Sequence, residues 1–232
     1  MISKISESLA DAVSGIPDGA TVMIGGFGSA GQPVELIDAL LDQGASGLTV
    51  VNNNAGNGTT GLAALLDAGR VRKIICSFPR QVDSQVFDGL YRSGKIELEL
   101  VPQGTLAERI RAGGAGIGGF FTPTGFGTML AEGKETRTIN GRDYVLEAPL
   151  TADFALIKAH RGDRLGNLVY RKTARNFGPL MASAATVAVA QVSEIVEVGA
   201  LDPEAIVTPG IFVQRVVEVG GRATIPTPTE GQ

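Results

Sequence analysis

Apolar and polar positions change period several times along the chain, and each change marks an element. Ile5, Leu9, Ala12, Val13 and Ile16 recur at helical intervals, which predicts an amphipathic helix over residues 3–14. Gly15, Pro17, Asp18 and Gly19 then supply turn chemistry, and Thr21–Ile24 reads as a short buried strand. Pro33 suits the first turn of a helix over 34–41, which stops before Gly44. The alternation repeats: a strand over 48–51, a polar loop over 52–61, a helix over 62–66, a strand over 72–76 and a helix over 82–91. Residues 96–101 (IELELV) alternate as a half-exposed strand does, and 106–112 are helical. Strands and helices taking turns across short loops predict an α/β fold, an open and mostly parallel sheet flanked by helices.

The rhythm then breaks. Residues 137–147 (RTINGRDYVLE) place Asn140-Gly141 between two alternating runs, which predicts a small β-hairpin region. Residues 153–159 and 186–191 are further apolar strands. Neither a repeat nor a separating linker interrupts residues 1–219, which are read as a single α/β domain, with 220–232 as a disordered tail.

Composition narrows the function classes. Charged residues make up 19% of the 232, below the roughly 25% of an average domain, so much of the surface is expected to lie against a partner. The net charge is −4 with no long Lys/Arg run, which argues against nucleic acid. The single cysteine, Cys76, allows no intrachain disulfide and fits a reducing compartment. The N-terminal stretch is too polar for a signal peptide and no apolar run reaches a membrane span, so no membrane is expected and a cytoplasmic location is. There is one histidine, His160, and no Cys/His cluster, so no metal site is expected. Both His160 and Cys76 read as structural. Glycine, at 32 residues, is about twice its usual share, and clusters where backbone must approach backbone or ligand.

Gly26, Gly28 and Gly31 form G-x-G-x-x-G directly after a strand, the spacing of a dinucleotide loop. That loop needs an acidic residue at the end of the next strand to hold a ribose. Here the strand runs into Asn52-Asn53-Asn54, and Pro33 starts the helix only after the third glycine. A dinucleotide site is therefore disfavoured.

The longer stretch DGATVMIGGFGSAGQP, 18–33, resembles the first signature of the family I coenzyme A transferases. NNNAGNG (52–58), VPQGTLAERIRAGGAGIGGFFTPTGFGT (101–128), DFALIKAHRGDRLGNLVYRKTARNFGP (153–179) and IVTPGIFVQRVV (206–217) resemble the A, or alpha, subunits of its 3-oxoacid CoA-transferases. The resemblance runs from residue 1 to about 219. It implies that a glutamate attacks an acyl-CoA thioester, through an acyl–glutamyl anhydride and then a glutamyl-CoA thioester. That glutamate lies in a Ser-Glu-Asn-Gly motif, and no Glu-Asn pair occurs in this chain. The nucleophile is thus expected from a separate B subunit, in a heterodimer or heterotetramer, with the coenzyme A thioester a substrate and no cofactor permanently bound.

By the same resemblance, the Gln103 amide is the expected donor to the tetrahedral oxyanion, from a position just past a strand end. Asn53 and Asn54 share such a position and are expected to orient the glutamate or the acyl carboxylate. Gly25, Gly26, Phe27 and Gly28, and again Gly118, Gly119 and Phe120, are read as contacts to coenzyme A or the reacting centre; tight helix–strand packing explains both glycine loops as well. The segment 76–99 resembles the 3-oxoadipate branch more than the acetoacetate branch. It offers Arg80 for a distal carboxylate, though a plain surface arginine is the alternative. Transfer from succinyl-CoA to 3-oxoadipate, in bacterial breakdown of aromatic compounds, is the resulting expectation. An acetoacetate or short-acid transferase is one alternative, and a binding protein or sugar-phosphate isomerase on a similar sheet is another. Arg175-Asn176, in KTARNFGP, belongs to the site or to a subunit interface.

Overall fold

A computed structural model describes residues 2–220. In chain order it contains α1 (Leu9–Ala12), β1 (Thr21–Ile24), α2 (Val34–Gln43), β2 (Leu48–Val51), α3 (Leu62–Asp67), β3 (Val71–Cys76), α4 (Gln85–Arg92), β4 (Glu97–Leu100) and α5 (Gln103–Gly114). There follow β5 (Phe120–Thr122), β6 (Thr136–Ile139), β7 (Arg142–Glu147), β8 (Ala152–Lys158), β9 (Arg161–Asp163), β10 (Leu168–Val169), α6 (Gly178–Ala184), β11 (Ala185–Val192), β12 (Glu194–Val196) and β13 (Arg215–Glu218).

Seven strands form one sheet in the order β13-β11-β8-β1-β2-β3-β4, and every pairing in it is parallel. The chain builds outward from β1 to β4, then returns to the other side of β1 with β8. The order therefore reverses between β1 and β8, where open α/β sheets leave a crevice at the carboxyl ends of the strands. Side chains alternate across the sheet as a two-residue period demands. Val22 and Ile24 pack with Leu36, Leu40, Leu65 and Phe87 of α2–α4 on one face, whereas Met23 packs with Leu106, Ile110 and Met181 of α5 and α6 on the other.

Two smaller three-stranded sheets are added. One contains the expected hairpin: β6 and β7 pair antiparallel around Asn140 (φ 50°) and Gly141 (φ 75°), the two left-handed residues of a tight hairpin turn. Its third strand is β5, so Phe120 lies in a strand rather than in a glycine loop. The other small sheet, β10-β9-β12, was not foreseen in the sequence pattern, nor was β13.

The first helix is a correction. Only Leu9–Ala12 is helical, because Ser8 caps it by accepting the Asp11 N–H. The preceding residues are extended: Val216 N–H donates to Lys4 O at 2.7 Å, and Ser6 N–H donates to Val216 O at 2.8 Å. β13 is an edge strand with free backbone groups, and residues 4–6 cover them. The tail expected over 220–232 falls, beyond Gly220, outside the described residues.

Candidate active site at the carboxyl edge of the sheet

β2 ends in three asparagines that are all buried. Burial of an amide requires partners, and the first two residues find them at the ends of neighbouring strands and on α5. Asn52 Nδ2 donates to Ile24 O at 2.6 Å and its Oδ1 accepts the Asn54 N–H at 2.8 Å, which ties the ends of β1 and β2 together. Asn53 Oδ1 accepts from Gln103 Nε2 at 2.8 Å and from Ser77 Oγ at 2.8 Å. Asn54 Oδ1 accepts the Gly56 N–H at 3.0 Å, but its buried Nδ2 has no partner. Gln103 is the first residue of α5, exposed at the same edge. An amide nitrogen carries two N–H groups, so Gln103 gives one to Asn53 and has a second.

Gly25 to Gly31 form a reverse turn at the switch point between β1 and β8. Phe27 and Ala30 exchange two backbone hydrogen bonds, at 3.0 and 3.2 Å, leaving the Phe27 ring exposed at the tip. Gly26, at φ 127°, donates its N–H to Asn176 Oδ1 at 3.1 Å, and Asn176 Nδ2 donates to Ala30 O at 3.0 Å. A dinucleotide loop would aim its pyrophosphate at the start of α2. There, however, the Leu36 N–H already donates to Gln191 Oε1 at 3.2 Å, and Gln191 Nε2 donates to the Glu35 carboxylate at 2.6 Å. A side chain and a negative charge occupy the place an anion would take.

The second glycine stretch lies elsewhere. α5 begins at the carboxyl edge and runs back, so that a Cβ on Gly113 would meet Leu150 and one on Gly114 would meet Ser183, residues just ahead of β8 and β11. Gly118, Gly119 and Phe120 follow at the amino edge, about 18 Å of helix away from Gln103. A Cβ on Gly119 would press on Glu147 O and Leu146 Cδ1, both at 3.3 Å, so Gly119 permits the close approach of β5 to β7. Within this chain the three residues are not brought together with Asn53 and Gln103.

Arg80 follows β3. Its Nε donates to Asp88 Oδ1 at 2.7 Å, while the side chain stays 57% exposed beside a cavity of about 550 Å³ lined by Asn57, Phe78, Arg80, Gln81 and Val82. Phe78 bridges in parallel with Asn54, which puts this cavity next to the asparagine cluster. Arg80 and Gln103 share the edge without touching a common partner.

Cys76 is buried with its thiol pushed up to about 12 by desolvation, unsuited to act as a nucleophile at neutral pH. Among the described residues no group of three His, Cys, Asp or Glu side chains could hold a metal ion, and no helix is long and apolar enough to cross a membrane. Sequence reasoning gave no role to Asn52, Ser77 or Gln191, and placed Asn176 in the site or at a subunit interface without a partner. Asn52, in NNNAGNG, and Asn176, in KTARNFGP, lie in stretches the sequence singles out; Ser77 and Gln191 act through partners 24 to 156 residues away.

The described residues form a seven-stranded parallel sheet with a cluster of buried asparagines and an exposed glutamine at its carboxyl edge. The family model for coenzyme A transferase matches residues 6–219, and the chain belongs to that family. It is 71% identical over 223 residues to the A subunit of the 3-oxoadipate CoA-transferase of Pseudomonas putida, with 96% of each chain covered. It is 68% identical to that of Acinetobacter baylyi, with 94% of this chain and 96% of the relative covered. It is also 51% identical to the A subunit of the probable succinyl-CoA:3-ketoacid coenzyme A transferase of Bacillus subtilis, covering 93% and 90%. Among solved structures, glutaconate coenzyme A-transferase from Acidaminococcus fermentans superposes with a TM-score of 0.84 at 20% identity, covering 94% of this chain and 76% of that one. An acyl-CoA transferase from Escherichia coli O157:H7 superposes at 0.81 with 23% identity, and the 94% of this chain that matches spans 47% of that one. These superpositions establish the fold.

Proposed function

We propose that the chain is the A subunit of a CoA-transferase that moves coenzyme A from succinyl-CoA to 3-oxoadipate, with the attacking glutamate supplied by a separate B subunit. The glutamate carboxylate adds to the thioester carbonyl, and the tetrahedral oxyanion collapses to an anhydride and a CoA thiolate. The thiolate then attacks the glutamyl carbon, releasing succinate and leaving a glutamyl-CoA thioester. The 3-oxo acid runs the same steps in reverse. Each addition concentrates negative charge on one oxygen, which a fixed N–H donor in a water-poor site stabilises most.

The observation that carries this reading is the Gln103–Asn53 hydrogen bond of 2.8 Å at the carboxyl edge, which fixes the Gln103 amide and leaves one N–H unspent. The exposed rings of Phe27 and Phe78 and the exposed Val82, all at this edge, support burial of the edge under the chain that brings the glutamate. Asn54, whose buried Nδ2 lacks a partner, supports a second donor toward the glutamate or the acyl carboxylate. The unspent guanidinium nitrogens of Arg80 beside the Phe78 cavity support recognition of a second carboxylate, and hence a dicarboxylic 3-oxo acid over acetoacetate.

The test is Gln103→Ala in the enzyme assembled with its B subunit. Loss of one oxyanion donor should lower kcat by on the order of 10²-fold, with binding of succinyl-CoA little changed. A kcat within about twofold of the parent would reduce Gln103 to a structural residue at a helix start.

A further inference from the structure

Ser77 follows β3 and lies beside Asn53, and the hydrogen bonds between the two are not interchangeable. The main-chain oxygen of Asn53 accepts two N–H groups, from Ser77 at 3.2 Å and from Phe78 at 2.9 Å. A carbonyl oxygen has two lone pairs, and both are engaged. The Ser77 hydroxyl lies 3.1 Å from that oxygen and 2.8 Å from Asn53 Oδ1. Its single proton is therefore directed to Oδ1, the nearer and less committed acceptor. A hydroxyl can accept as well as donate, but with its proton directed to Oδ1 this bond favours the orientation in which the oxygen, not the nitrogen, of the Asn53 amide faces this corner. Gln103 meets the same oxygen, so it must approach through Nε2, at 2.8 Å. A reversed Asn53 amide would exchange the nitrogen and oxygen of Gln103 in turn. An acceptor would then stand where the donor stands, facing the charge it should stabilise.

We infer that Ser77 is a positioning residue for the transfer reaction: its hydroxyl fixes the orientation of the Asn53 amide and, through it, the place of the Gln103 N–H donor. The chain Ser77 O–H to Asn53 Oδ1 to H–N of Gln103 runs from a half-buried hydroxyl through the buried Asn53 amide, where one mis-set partner is costly. The inference rests on Gln103 serving as the oxyanion donor and adds the residue that aims it.

The experiment compares the parent enzyme, assembled with its B subunit, with Ser77→Ala, Gln103→Ala, the double variant and Ser77→Thr. Ser77→Ala should lower kcat by about tenfold, the weight of one hydrogen bond, and leave KM for succinyl-CoA within about twofold. Ser77→Thr, which keeps the hydroxyl, should recover most of the rate. On the Gln103→Ala background, Ser77→Ala should change kcat by less than about twofold, because the group it aims is gone. An equal loss on both backgrounds, or an unchanged kcat in Ser77→Ala while Gln103→Ala falls, overturns the Ser77 assignment alone. An unchanged Gln103→Ala overturns the oxyanion reading and this inference with it. If Ser77→Ala does not assemble, Ser77→Cys, close in size and a weak donor, is judged by the same criteria.

Discussion

Asn176 holds the glycine loop by both ends: its Oδ1 accepts the Gly26 N–H at 3.1 Å, and its Nδ2 donates to Ala30 O at 3.0 Å. The loop carries three left-handed glycines at residues 26, 28 and 31, which a free chain would not hold in one conformation. The clamp substitutes for the helix-end phosphate that the glycine spacing alone would suggest. Gly31 is part of the fit, since a Cβ there would collide with Ala174 O and lie 2.8 Å from Asn176 Nδ2.

Asn176→Ala should therefore cost about 1–3 kcal/mol of stability, from a donor and an acceptor left without partners. Asn176→Asp should do no better than alanine: it keeps the acceptor for Gly26 but turns a carboxylate toward the carbonyls of Ala30 and Thr173. Denaturant midpoints of the two variants check both statements, and a milder loss in Asn176→Asp than in Asn176→Ala contradicts the second.

The isolated chain should show no CoA transfer, and activity should appear once a B subunit that carries the glutamate is added. Steady-state assay of the separate and mixed chains decides this. Turnover by the isolated chain would mean that the nucleophile is among its own carboxylates.

The parallel sheet was legible because its strands are short, apolar and bounded by Gly, Pro and Asn; so were Asn140-Gly141 and the strand-end positions of Asn53 and Gln103. Apolar spacing at Ile5 and Leu9 fits a helix, but the start of the chain departs from one because the open sheet edge at Val216, 211 residues from Ile5, competes for the same backbone. The Gly118–Phe120 stretch reads like the Gly25–Gly28 stretch in sequence, yet a 12-residue helix carries it to the opposite edge of the sheet. Ser77 and Gln191 were illegible for a different reason. A lone Ser or Gln gains its role only from the long-range partner the fold delivers, and periodicity says nothing of that partner.

Acid should uncover the charge network along the β4 edge. Burial alone would push the Glu99 carboxyl up, but hydrogen bonds from Lys73, at 2.8 Å, and Arg109, at 2.9 Å, outweigh it and hold the group below its usual range. A carboxyl depressed in the folded state contributes stability above its unfolded value, near pH 4.3, and loses it as pH falls through the folded value. Lys73 is raised, chiefly by its bond to Glu99, so its share is complete below about pH 10.4 and is lost at more alkaline pH. Glu99→Gln should cost on the order of 1 kcal/mol at pH 7, and the gap to the parent should close below about pH 4. Unfolding curves at pH 3.5, 5 and 7 test it, and a gap constant across that range would show that the pair is not linked to protonation.

Arg80 should set the choice between dicarboxylic and monocarboxylic 3-oxo acids. Its Nε is engaged by Asp88 at 2.7 Å, an exposed pair that adds little stability but orients the guanidinium and leaves its two terminal nitrogens to form a bidentate pair with a carboxylate. The adjoining cavity, about 550 Å³, has room for the four-carbon backbone of succinate or the six-carbon backbone of 3-oxoadipate. Arg80→Ala should lower kcat/KM for 3-oxoadipate by about 2–4 kcal/mol, because a carboxylate desolvated under the partner chain would lose its counter-charge. Acetoacetate carries no second carboxylate and should lose far less, so the ratio of the two substrates is the quantity to measure. Arg80→Lys should recover only part of the ratio, since an ammonium cannot reproduce the planar two-bond geometry. Asp88→Asn should leave most of the activity while loosening the orientation, which would appear as a higher KM for 3-oxoadipate alone. Equal losses for both acids in Arg80→Ala would assign the guanidinium to structure or to coenzyme A. The distal carboxylate would then require another cation on this edge, with Arg175, beside the glycine loop and lining the cavity under Phe27, next in line.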